Sequence, residues 1–276
     1  RQDIERTTVT GPPNGAEKTT TFKLLLSLIY PTRGKILLWG KEPQIKLKSK
    51  IGFLPESPYF YGYLKAKEYL HFSGQLFGIK FKERQKKVDF LLELVGLKDH
   101  KNEMIKNYSK GMLQRLGLAQ ALINDPELLI LDEPMAGLDP LGRKEVRDLI
   151  LQLKDRGKTI IFSTHILSDV ETVCDRVGIL INGVLRDCGS LENLLDPKIK
   201  TFDICIRKVA EKDLRAVQNQ TLKLIKRGGE TFISVKEDKI DDILGFLLSK
   251  DGKLISLVPR KETLEDIFVS KLRSVD

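Results

Sequence analysis

The chain of 276 residues has no apolar run long enough to cross a membrane. Its longest, Phe22 to Tyr30, is interrupted by Lys23 and falls well short of the roughly 20 residues a spanning helix needs. No secretory signal is expected ahead of the fold either. Cysteine is scarce: Cys174, Cys188 and Cys205 are too widely spaced for a disulfide framework or a zinc site, which points to a reducing compartment and to three small packing residues. No aromatic residue precedes Phe22, and the first residue is Arg1 rather than Met. What is present is 41% apolar and 31% charged, which excludes a disordered chain and describes a globular one, long enough for one large domain and a small one. The net charge of +9 includes basic clusters at 46–50 and 80–87. Such clusters attract nucleic acid or anionic headgroups, but charge alone decides nothing, and solvated faces account for both.

The most informative stretch is 108–140. Leu128-Leu129-Ile130-Leu131 is apolar on both faces and ends in Asp132, Glu133 and Pro134, as an interior strand of a covered parallel sheet does. Ligands bind such sheets at the carboxyl ends of strands, where the two acids fall. One acid in that position can hold a magnesium ion through water, and its neighbour can orient or deprotonate an attacking water. Upstream, Tyr108-Ser109-Lys110-Gly111-Met112 opens a helix with Ser109 as its N-cap, an arrangement ready for an anion. Downstream, Gly137-Leu138-Asp139-Pro140 is a turn into the next helix.

These three elements resemble the ATP-binding subunit of an ABC transporter: YSKGM is similar to its signature motif, LLILDEP to Walker B and GLDP to its D-loop. Gly11-Pro12-Pro13-Asn14-Gly15-Ala16-Glu17-Lys18-Thr19-Thr20, followed by an apolar helix to about Ile29, resembles Walker A. The resemblance implies ATP contacts from Asn14, Gly15, Ala16, Lys18, Thr19, Thr20 and Glu56. It implies magnesium held by Thr19, Asp132 and Glu56, and catalysis by Glu133 with His165, the histidine after the strand Thr159–Ser163. Ser109, Lys110, Gly111 and Met112 would act in trans in a head-to-tail dimer, with Asp139 linking the two sites. His71 and His100 are expected to be structural or exposed.

The match departs from the family at several points. Pro12 and Pro13 remove backbone donors. Glu17 replaces a glycine and sets a carboxylate beside the triphosphate, a defect expected to impair activity. Nothing in residues 1–10 offers the aromatic that stacks on adenine, and Trp39, in the expected strand Lys35–Gly40, is read as packing. Ile51–Glu56 is strand then loop; Glu56 stands where a glutamine is usual, and ATPases of ABC-2-type exporters often read LPE here.

The region 65–107 reads as helical, with Val88, Leu91, Leu92 and Val95 at helical spacing. Tyr59, Phe60, Tyr61 and Tyr63 suit either a docking surface or a core. A hairpin is expected around Asn182-Gly183. Beyond Asp196-Pro197 the pattern β-α-β-β-α-β is ferredoxin-like, closed by a helix that starts at Thr263 with Asp266 capping it.

The expected fold is therefore α/β: a P-loop NTPase over 1–196 with an ABC-type helical subdomain at about 65–120, then a small α+β ferredoxin-like domain over 197–276. The implied protein is an ATPase subunit of an ABC-2-type exporter using ATP and Mg2+. Its expected partners are a second ATP-binding subunit and a separate permease, with no nucleic acid, and its place is cytoplasmic, at the inner face of the membrane. The alternative is a weakened or silent half of a heterodimer.

Overall fold

The computed structural model describes residues 7–10, 16–195, 199–261 and 263–273. They fall into two compact units, Arg1–Leu191 and Glu192–Asp276. In the first, strands β1 (Thr7–Thr10), β2 (Ile51–Leu54), β3 (Leu128–Leu131), β4 (Thr159–Thr164), β5 (Arg176–Ile181) and β6 (Val184–Ser190) form one sheet in the order β2-β3-β4-β1-β5-β6. All pairings are parallel except β5 with β6. The reversal is a two-residue turn in which Asn182 and Gly183 have φ of 51° and 74°. Both central residues of the hairpin turn that matches strand twist need positive φ, which asparagine and glycine adopt most readily.

Helices α1 (Ala16–Leu25), α2 (Ile45–Lys48), α3 (Ala66–Leu76), α4 (Phe81–Leu94), α5 (Lys110–Ala121), α6 (Pro140–Asp155) and α7 (Leu167–Val173) complete this unit. Strand parity decides which helix covers which face. Ile51, Leu128 and Ile130, with Phe53 and Ile161, pack against Phe22 of α1. The intervening residues face α5: a Cβ on Gly52 would stand 2.0 Å from the Ala121 carbonyl oxygen, and one on Gly117 would stand 2.5 Å from Leu54 Cδ1. The sheet is thus covered on both sides, and β3 is buried along its whole length, as its uninterrupted apolar run requires.

Because the atom facing Gly52 is backbone, Gly52→Ala forces β2 and α5 apart. We expect a loss of about 1–3 kcal/mol, the usual range for overpacking, measured by urea unfolding.

The helical region behaves as its spacing predicts. Val88, Leu91, Leu92 and Val95 are buried, and Glu68 accepts from the Lys65 backbone N–H at 3.0 Å to start α3. Arg84, inside the second basic cluster, turns inward: it donates to the Ile79 carbonyl at 2.8 Å and lies 5.7 Å from the Phe81 ring centroid. Phe60 packs edge-on against Tyr69, whereas Tyr59, Tyr61 and Tyr63 are exposed.

Three expectations are corrected. Lys35–Gly40 is not a strand: Leu38 and Lys41 exchange backbone bonds of 2.8 and 3.0 Å across Trp39 and Gly40, whose φ values are 51° and 72°. Positive φ at both positions folds the segment back on itself, so it never extends along the sheet. Trp39 is consequently the apex of a turn, 47% exposed with Lys50 5.8 Å from its ring, and is not a core residue. Cys188 is exposed on β6, the edge strand, while Cys174 and Cys205 are buried.

The division along the chain falls within α8 (Leu191–Leu194); Asp196 and Pro197, expected as a boundary, lie outside the described residues. In the second unit the order is β7 (Ile199–Arg207), α9 (Glu211–Gln218), β8 (Lys223–Arg227), β9 (Glu230–Lys236), α10 (Ile240–Ser249), β10 (Lys253–Lys261) and α11 (Leu264–Arg273). The strands form an antiparallel sheet in the order β10-β7-β9-β8. Ile204, Ile206, Ile233 and Val235 pack against Leu214 and Val217 of α9 and Ile243 and Leu247 of α10. Thr263 and Asp266 bond reciprocally at the start of α11, backbone N–H to side-chain oxygen, at 3.0 and 3.3 Å.

Candidate functional site

Three segments converge at the carboxyl ends of the parallel strands. Strand β1 leads toward α1, which carries Lys18 and Thr19. Strand β3 ends at Asp132 and Glu133. Strand β4, hydrogen-bonded between β3 and β1, ends at Thr164 and delivers His165. The register pairs Leu131 with Phe162, and Thr10 with Thr164, so neighbouring strands end at nearly one level.

Lys18 Nζ donates to Glu133 Oε1 at 2.7 Å, and both side chains are more than nine-tenths buried. The other carboxylate oxygen, Oε2, lies 2.9 Å from His165 Nδ1. An ionised carboxylate only accepts, so Nδ1 carries the proton toward it and Nε2 faces elsewhere. One acid thereby joins a lysine from α1 to a histidine from the end of β4. Thr19 Oγ1 donates to Asp132 Oδ2 at 2.7 Å, while Ser163 Oγ donates to Asp132 Oδ1 at 2.6 Å. Glu133 itself has φ of 46°, a left-handed backbone rare for a residue with a side chain.

Ser109 caps α5, its hydroxyl accepting from the Met112 N–H at 3.2 Å. Asp139 caps α6 in the same way, accepting from the Gly142 N–H at 2.8 Å. These two helix starts line one cleft of about 380 Å3 together with Lys110 and Gly111.

Other expected site residues stand apart. Glu56 is exposed beyond β2, with no hydrogen bond to Thr19 or Asp132. Thr20 lies exposed on α1, which begins at Ala16; Asn14 and Gly15, with Pro12 and Pro13, lie outside the described residues. Glu17 is in the first turn of α1, where an acid suits the helix dipole, yet its Oε2 is buried without a hydrogen-bond partner among the described residues. His71 stacks against Phe81, and His100 pairs with Glu103 at the surface.

Sequence reasoning missed two residues. Ser163 has only the look of a strand end; a hydroxyl closing an otherwise apolar buried run is the available signal. Asp169, on α7, is 3% exposed, with Arg147 Nη1 4.0 Å from Oδ1 and no hydrogen-bond partner on Oδ2 among the described residues. Burial pushes its carboxyl above the ordinary value, against the opposing pull of Arg143, Arg147 and His165. A raised value in the folded state means that the ionised form costs stability once pH exceeds the unfolded value, and that the cost disappears in acid. Asp169→Asn is therefore expected to raise Tm at pH 7, with the gain shrinking as pH falls through the carboxylate range. Scanning calorimetry across pH checks the sign.

Comparison with known proteins fits this geometry. A family model described as ABC transporter matches residues 2–136. The chain is 42% identical over 264 residues to an uncharacterised ABC transporter ATP-binding protein of Synechocystis, an alignment covering 95% of this chain and 73% of that one. It is 37% identical over 266 residues to the bacitracin transport ATP-binding protein BcrA of Enterococcus faecalis, covering 94% and 84%. A solved structure described as the ATP-binding subunit of an ABC transporter superposes with a TM-score of 0.61 at 32% identity, over 69% of this chain and 80% of that one.

Proposed function

This chain belongs to the ABC transporter ATP-binding proteins, and from that premise we propose that it is the ATPase subunit of an ABC-2-type exporter. It works as a head-to-tail dimer with a second ATP-binding subunit, beneath a separate membrane permease at the cytoplasmic face. The observation that carries this reading is the convergence of Lys18, Thr19, Asp132, Glu133 and His165 through hydrogen bonds of 2.7 to 2.9 Å. The bacitracin transport relative supports a role in export. No helix among the described residues is long and apolar enough to cross a membrane, in keeping with a pathway formed by another chain.

Thr19 and Asp132 offer adjacent oxygens, a donor set that fits magnesium, which binds through one or two protein oxygens together with substrate phosphates. Glu56, which stands apart from both, would have to move toward them to add a further oxygen. When bound, the ion neutralises phosphate charge. Lys18 exchanges Glu133 for the terminal phosphates, a move that also frees Glu133. Glu133 then orients the attacking water and accepts its proton, while His165, held through Nδ1, turns Nε2 to the γ-phosphate. Positioning and electrostatics supply most of the acceleration in this chemistry.

The cleft at Ser109 to Gly111, with Met112 next in the helix, faces the nucleotide of the second subunit, with Asp139 at the interface. The exposed Tyr59, Tyr61 and Tyr63 suit contact with the permease. The first unit, read as a P-loop NTPase over 1–196, is followed by a ferredoxin-like module over 197–276 that supports or regulates the dimer. Its β-α-β-β-α-β order, with the fourth strand beside the first, supports that reading.

Glu17 favours a second reading, a weakened half of a heterodimer, because a carboxylate next to the phosphate loop opposes the substrate. ATP turnover by the purified chain, alone and mixed with a candidate partner subunit, separates the two. Turnover by the chain alone supports the first reading, and turnover only in the mixture supports the second. Absence of any permease in pull-downs from native membranes would count against both.

A further inference from the structure

Ser163 is fully buried at the penultimate position of β4. Its hydroxyl bonds nothing in its own strand that would explain its presence there. It donates to Asp132 Oδ1 at 2.6 Å and accepts from the Glu133 backbone N–H at 2.8 Å. One oxygen atom thus touches the side chain of one acid and the backbone of the next. Strand alternation puts Ser163 on the face of Ile161, which packs toward α1, the helix that carries Lys18 and Thr19.

The backbone it holds is the left-handed one at Glu133. That conformation is costly for a non-glycine residue and persists only where surrounding contacts determine it. The contacts here are the Ser163 hydroxyl on the Glu133 N–H and the Ala136 N–H on the Glu133 carbonyl at 3.0 Å. Left-handed backbone at Glu133 aims its carboxylate at Lys18 and His165. With Thr19 on Oδ2, Ser163 on Oδ1 leaves Asp132 bonded through both oxygens.

We infer that Ser163 is a positioning residue that locks the metal-side acid Asp132 and the water-side acid Glu133 into one unit. The inference rests on the ATPase reading above. It predicts that the hydroxyl, rather than the bulk, is what the site needs. Threonine supplies the same hydroxyl and suits a strand, whereas alanine leaves a buried N–H without an acceptor.

The test is a magnesium titration of the full chain with a fluorescent, non-hydrolysable ATP analogue, for the parent, Ser163→Ala and Ser163→Thr. Ser163→Ala is expected to weaken the apparent magnesium affinity about tenfold, which corresponds to about 1.4 kcal/mol. Ser163→Thr restores the parent value. Equal magnesium affinity in parent and Ser163→Ala, or no rescue by threonine, overturns the inference.

Hydrogen exchange at the Glu133 amide in nucleotide-free protein gives an independent readout. Protection is expected to fall in Ser163→Ala and return in Ser163→Thr, and unchanged protection overturns the lock. If the parent binds no analogue at all, the ATPase reading fails, and the exchange result alone decides whether Ser163 holds the Glu133 backbone.

Discussion

Replacing Glu133 with glutamine is expected to lower ATP turnover by about a hundredfold to ten-thousandfold, the range that loss of a general base produces, while ATP still binds. The second consequence follows from the buried pair. Lys18 and Glu133 are each more than nine-tenths buried and 2.7 Å apart. An amide oxygen still accepts from Lys18 but no longer neutralises it, and breaking a buried pair typically costs about 3–5 kcal/mol; the retained hydrogen bond puts this case at the lower end. The nucleotide-free variant is therefore expected to melt below the parent. Magnesium-ATP restores an anion to Lys18, and a ligand that binds only the folded state raises its stability. The rise in Tm on adding magnesium-ATP should thus be larger for Glu133→Gln than for the parent. A turnover loss with an unchanged Tm response would mean that Lys18 keeps another counter-charge.

Glu17→Gly is expected to act in opposite directions on affinity and stability. Two unit charges roughly 4 Å apart at an effective dielectric of roughly 20 repel by roughly 4 kcal/mol. Removing the carboxylate should raise magnesium-ATP affinity by up to about a thousandfold, less in proportion as solvent screens the pair. The same change removes a favourable acid from the first turn of α1, worth about 0.3–1 kcal/mol, and introduces a glycine that costs a helix about 1 kcal/mol relative to alanine. Glu17→Ala separates these effects, since it loses the charge with little helix cost. Isothermal titration of all three chains reads the affinity and thermal melting reads the stability. Equal affinity across the series would show that the Glu17 carboxylate does not oppose the phosphates.

Much of the geometry at the carboxyl ends of the strands was legible because it depends on order along the chain. An apolar run that ends in two acids fixes where Asp132 and Glu133 stand, and a histidine that follows Thr159–Ser163 after one intervening residue stands beside them once those strands are neighbours. Ser109 was legible as a helix start, and Gly137–Pro140 as the turn into the next helix, for the same local reason; that Asp139 itself caps that helix came only with the structure. The turn at Trp39-Gly40 was not, because Lys35–Gly40 has the composition of a strand, and only the backbone angles of its last two residues fold it back. Arg84 looked like one more surface charge, but the Ile79 carbonyl and the Phe81 ring draw it inward.

The sequence by itself determined the strands and helices of the nucleotide end, the acids at the tip of β3, and the β-α-β-β-α-β order of the second unit, since period, capping and turn chemistry act over a few residues. The tertiary structure alone decided that Ser163 bridges Asp132 and Glu133, that Lys18 is neutralised by Glu133, and that Asp169 is buried beside arginines of α6. Each of these depends on groups far apart in the chain being brought within about 3–4 Å by strand register and helix packing. No local pattern encodes such distances.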